Sequence, residues 1–133
     1  MTPEESRGVG PGMPGFLYLE IFGSVVWDVF GTPPYLVGSA ANSKQWRDVD
    51  VRLILDDADY DDLISPSPGC PEHSNGKWAG LCMAFSALGK EMTGLPVDFQ
   101  IQRCTQANER FPGVRKALGL CGHRFLRAPE PPD

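Results

Sequence analysis

From residue 16 to about residue 30 the chain is apolar almost all round, which predicts a largely buried helix. Gly31, Thr32, Pro33 and Pro34 stop it. The short apolar run Tyr35-Leu36-Val37 then reads as a strand entering a tight turn at Gly38-Ser39, and the polar stretch through Asn42, Ser43, Lys44 and Gln45 as a loop. Residues 48–55 form the strongest strand pattern. Val49, Val51, Leu53 and Leu55 fall on one face, and Asp48, Asp50 and Arg52 on the other, with only Ile54 breaking the polar side. Asp56 or Asp57 is placed to cap a short acidic helix running through Ile64. After a Pro/Ser/Gly/Asn loop, residues 77–92 repeat Trp78, Leu81, Cys82, Phe85, Leu88 and Met92 at three- and four-residue intervals, an amphipathic helix ended by Thr93, Gly94 and Pro96. A second alternating strand follows, with Val97, Phe99 and Ile101 opposed to Asp98, Gln100 and Gln102. Short helical pieces are expected over 105–110 and 114–118, before a Pro-rich tail.

This order of elements predicts an α/β (α+β) domain, a small mixed sheet with helices on one face. The expected organisation is a flexible arm over 1–15, the domain over 16–110 and a short helical, Pro-rich tail over 111–133. A length of 133 residues allows a substantial core, and 41% hydrophobic with 22% charged residues is ordinary for a globular chain. Gly 15 and Pro 13 exclude a long bundle or coiled coil. A net charge of −5 excludes a broad basic surface for duplex DNA. No basic leader precedes the first apolar stretch, which Glu20 and Asp28 interrupt. The expectation is therefore a protein of the reducing cytoplasm with no membrane span. Cys70, Cys82, Cys104 and Cys121 are too scattered to read as a disulfide framework.

The polar faces of the two alternating strands carry the candidate chemistry. Asp48 and Asp50 project side by side, roughly 6.5–7 Å apart along the strand. If the strand bearing Asp98 pairs nearby, three carboxylates converge. Such a group stays ionised when a cation neutralises it, and oxygen-only ligation suits Mg²⁺ or Mn²⁺.

The segments YLVGSAANSKQWRDVDVRLIL and LPVDFQIQ resemble the polymerase-β-like nucleotidyltransferase superfamily: an apolar strand ending in Gly-Ser, an Asp-x-Asp strand, and a third acid on a later strand after a helix. The resemblance covers roughly residues 16–103. It implies a nucleotidyltransferase-like palm in which Gly38 and Ser39 hold the β and γ phosphates of an NTP such as ATP. Asp48 and Asp50 would bind Mg²⁺ or Mn²⁺, while Asp98 completes the metal site and takes the proton of the acceptor hydroxyl. The implied activity moves an NMP to a hydroxyl of RNA, a protein or a small molecule, releasing pyrophosphate. The alternative is the same fold with catalysis lost, a regulatory or partner-binding module of the toxin–antitoxin or phage–host kind. The chain departs from the family in having eight residues between Ser39 and Asp48, and Ala41-Asn42 where many small members carry Arg-Gly.

Lys44, Arg47, Arg52 and Arg103 fall near these acids, where each can bind phosphate or simply balance charge; Arg52 shares the carboxylate face and is the best phosphate-binding candidate, with Lys44 as a second. Gln100 and Gln102 continue the face of Asp98, and Asn108 follows; they could contact a base or ribose, though exposed amides are ordinary surface. An open sheet suggests that a homodimer or partner protein completes the site. The aspartates at 56, 57, 59, 61 and 62 fail as a calcium loop, since Asp62 stands where Gly is needed and Pro68 where Glu is needed. Cys70-x2-His73 with Cys121-x-His123 offers zinc-type ligands at a spacing tighter than usual.

Overall fold

Val49, Val51, Leu53, Val97, Phe99 and Ile101 are each at most 1% exposed, so the apolar faces of both alternating strands are buried together. The structure, a computed structural model, describes residues 11–12, 14–42, 47–66, 68–69 and 75–120. Its elements are α1 (Gly15–Phe30), β1 (Tyr35–Val37), α2 (Ser39–Asn42), β2 (Val49–Leu55), α3 (Asp57–Ile64), α4 (Gly76–Thr93), β3 (Val97–Arg103), α5 (Cys104–Arg110) and β4 (Lys116–Ala117). They form a mixed α/β fold around one four-stranded sheet, in the order β3-β2-β1-β4. β2 and β3 run parallel, as strands joined by a helical crossover can. β1 is antiparallel to both β2 and β4.

α1 and α4 cover the apolar face. Leu19, Phe22 and Val26 of α1 join the strand residues in one core, against which Trp78, Leu81 and Phe85 of α4 pack. Phe22 meets Phe99 edge-on with ring centres 6.3 Å apart, and Phe85 lies 5.3 Å from the same ring. Among the described residues β3 is an edge strand, whose outward backbone groups need partners from outside the sheet. α4 supplies them: the Phe99 N–H donates to Ser86 Oγ at 2.8 Å, and Trp78 Nε1 donates to the Ile101 carbonyl at 2.8 Å.

Two expectations are corrected. The tight turn read at Gly38-Ser39 leads into the short helix α2, which also takes in Asn42, the first residue read as loop. Residues 114–118, read as helical from apolar spacing, instead contribute β4, which lies along the free edge of β1 with Leu36 opposite Lys116. Backbone pairing decides the matter, because the Leu118 N–H also reaches the Pro34 carbonyl at 2.9 Å and the Leu118 side chain is fully buried. Beyond β4, the Gly119 N–H donates to the buried Glu20 carboxylate of α1 at 3.0 Å, and Ser24 Oγ donates to the Gly119 carbonyl at 3.2 Å.

Asp56 occupies the N-cap of α3 without a side-chain bond. The Asp57 carboxylate is used elsewhere: it accepts from Thr105 Oγ1 at 2.6 Å and from the Thr105 N–H at 3.2 Å, satisfying an amide in the first turn of α5. Those two bonds hold its carboxyl below the usual carboxylate range. A depressed folded pKa contributes stability that is present at neutral pH and lost as pH falls through that folded value. Asp57→Ala should therefore lower Tm at about pH 7, and the gap to wild type should narrow at about pH 2.5. Melts at the two pH values check this; an unchanged gap would mean the bonds to Thr105 do not depend on the charge.

Candidate functional site

Register brings the polar residues together. Asp50 lies opposite Asp98, Arg52 opposite Gln100 and Ile54 opposite Gln102, while Val37 at the end of β1 pairs with Asp50. Because side chains alternate along a strand, all of these project to the sheet face away from α1 and α4, in rows roughly 6.5–7 Å apart.

Arg52 binds the first row together. Its Nη2 is 3.5 Å from Asp50 Oδ1 and 3.4 Å from Asp98 Oδ2, and its Nη1 donates to the Asp98 carbonyl at 2.7 Å. Burial nevertheless pushes the Asp50 carboxyl up. Arg52 opposes that shift, while Asp98 and Asp48 add to it. Asp48 itself is exposed in the bend that precedes β2, acting on Asp50 through charge rather than sharing its row.

Gly38 closes the row on the β1 side. Its φ is +70°, which favours glycine, and a Cβ there would stand 2.5 Å from Asp50 Oδ2, so the Asp50 carboxylate would have to turn aside. Gly38→Ala should cost about 1–3 kcal/mol, which denaturant unfolding would measure. Combining it with Asp50→Ala removes the collision and should return part of that cost. Full additivity would mean that Asp50 does not rest on the glycine.

Ser39 is the first residue of α2; its side chain and all of Lys44 lie outside the described residues, as do Cys70, His73, Cys121 and His123. Arg47 is exposed. Arg103 is drawn away from the site: it pairs with Asp61 and its guanidinium lies 4.9 Å over the Tyr60 ring. Cys82 is buried, which pushes its thiol up. Among the described residues no three His, Cys, Asp or Glu side chains are gathered so as to hold a metal ion.

Gly38, Asp50, Arg52, Gln100 and Gln102 line one cavity of about 540 Å³. Its far wall was not foreseen: the segment from Phe111 to Arg115 crosses the open face. Sequence marks Pro112-Gly113 only as a turn, and nothing in a turn signal says which surface the turn will cover. Arg115 staples this wall, donating to Asn108 Oδ1 at 2.9 Å and to the Phe111 carbonyl at 3.2 Å.

Comparison with family models, curated proteins and solved structures found no match. No helix among the described residues is long and apolar enough to cross a membrane.

The donor set at Asp50 and Asp98 suits a hard divalent cation. Both are carboxylates on an open face, the charge of Asp50 is disfavoured chiefly by burial, and a cationic group is already drawn between them. Gly38 keeps the space beside Asp50 clear of any Cβ. Asp50 and Asp98 would therefore be the residues that hold such an ion.

Proposed function

We propose that this chain is a metal-dependent nucleotidyltransferase, moving an NMP from an NTP to a hydroxyl of RNA, a protein or a small molecule. The observation that carries the reading is the register pairing of Asp50 with Asp98 beside a glycine-walled cavity. A bound Mg²⁺ or Mn²⁺ would neutralise phosphate charge and polarise the α-phosphorus. Gly38 and Ser39 would receive the β and γ phosphates, Gly38 by allowing close backbone approach. Arg52, with Lys44, would offer positive charge to the phosphates, Arg52 from between the two acids. Asp98 would take the proton of the acceptor hydroxyl as that oxygen bonds to the α-phosphorus and the bond to the β-phosphate oxygen breaks, pyrophosphate leaving with the electron pair. The acidic surface argues for a local grip on nucleotide rather than broad contact with nucleic acid, and the reading belongs with a cytoplasmic supply of NTPs. A homodimer or a partner protein would supply the surface that holds the acceptor.

Arg52 favours a second reading. A guanidinium already bridging the two acids can serve in place of a metal ion, leaving a regulatory or partner-binding module of the same fold. Calorimetric titration with Mg²⁺ and each NTP, followed by incubation of labelled NTPs with RNA or lysate, separates the two. Mg²⁺-dependent binding with label transfer supports the enzyme. Binding unaffected by Mg²⁺, with no transfer, supports the module.

A further inference from the structure

The first row of the open face accounts for phosphate chemistry, but most of the cavity lies beyond it. Along the strands the cavity runs from Gly38 and Asp50, past Arg52 and Gln100, to Ile54 and Gln102, two row spacings or roughly 13–14 Å. Its volume of about 540 Å³ falls within the range of small-molecule sites. Its chemistry changes along its length. The near end is ionic, while the far end pairs apolar surface from Ile54 and Val114 with the two glutamine amides. Phe111 lines the same cavity yet is 57% exposed and lies outside the buried core. An exposed aromatic ring beside a stapled turn thus shares a cavity with two side-chain amides. A ring of this kind is a stacking platform, and an amide carries both a donor and an acceptor for a base edge.

We propose that the far half of the cavity is a nucleobase subsite, with the base between the Phe111–Arg115 wall and the sheet, its edge read by Gln100 and Gln102. This rests on the nucleotide reading above and adds to it where the base sits and what selects it. Arg115 is a positioning residue: its two hydrogen bonds, to Asn108 and to the Phe111 carbonyl, fix the wall over the sheet. Ile54, which interrupts the polar face of β2, gains a role as apolar floor beneath the base.

The test compares inorganic tripolyphosphate with ATP, GTP, CTP and UTP, each titrated into the full chain in the presence of Mg²⁺. At least one NTP should bind about 10-fold or more tightly than tripolyphosphate, because stacking adds to phosphate affinity. Phe111→Ala should remove about 10-fold of NTP affinity and leave tripolyphosphate unchanged. As Phe111 is exposed and outside the core, the variant should melt as wild type does. Gln102→Ala should level the preference among the four NTPs. Equal binding of tripolyphosphate and every NTP, or a Phe111→Ala variant that binds NTPs as wild type does, overturns the subsite and leaves the phosphate end standing. Absence of binding by tripolyphosphate and all four NTPs overturns both the subsite and the nucleotide reading.

Discussion

Val51→Asp should abolish the cooperative thermal transition, whereas Ile54→Asp, three residues along the same strand, should melt as a folded protein. Val51 is fully buried, opposite Leu36 on one side and Phe99 on the other. A carboxylate there has no partner, and its burial costs several kcal/mol whether it stays charged or is forced to hold a proton. A domain of this size has about 5–15 kcal/mol of stability in total, and the lost packing of valine adds to the cost. Ile54 lies on the opposite face, lining the cavity, where a carboxylate reaches water and the Gln102 amide. Circular dichroism melts of both variants measure the contrast. A Val51→Asp protein that melts like wild type would reverse the face assignment and remove the basis of the site.

On the proposed nucleotidyltransferase reading, Asp50→Asn should reduce transfer by about 100–1,000-fold or more, the size of loss expected when one charge-stabilising group is removed from such a site. Folding should survive. The Asp50 carboxyl is raised by burial and by the acids near it, so its charge is a net cost to the native state. An acid raised in the folded state destabilises above its folded pKa, and that cost disappears as pH falls through it. Asp50→Asn should accordingly melt at or slightly above wild type at neutral pH, with the difference closing in acid. The same change should abolish any rise in Tm on adding Mg²⁺ with NTP. Melts with and without Mg²⁺ and NTP, together with labelled-NTP assays, check each part. A large loss of stability without metal would make Asp50 a structural carboxylate. If wild type gains nothing from Mg²⁺ with any NTP, the binding module remains.

Local patterning determined the elements that bury a regular face. Alternation in VDVRLIL and VDFQIQ decided which residues of β2 and β3 enter the core, because a strand has only two faces and water selects between them. The spacing of Trp78, Leu81, Cys82 and Phe85 decided α4 in the same way, and Gly-Ser before the acidic strand marked the turn where Gly38 meets Asp50. Pairing lay beyond that information. Whether Asp98 stands beside Asp50 depends on a register between strands more than forty positions apart, and Asp48 differs from Asp50 only in falling just before the paired stretch. Arg52 bridges two acids because β3 lies beside β2, which neither segment encodes alone. Residues 114–118 have helical spacing but contain β4, since β1 offers an unpaired backbone edge and buried amides must find partners. The wall from Phe111 to Arg115 follows from that pairing: a chain leaving α5 and returning to the edge of β1 crosses the open face of the sheet, and so closes a cavity over residues that sequence could assign only to a surface.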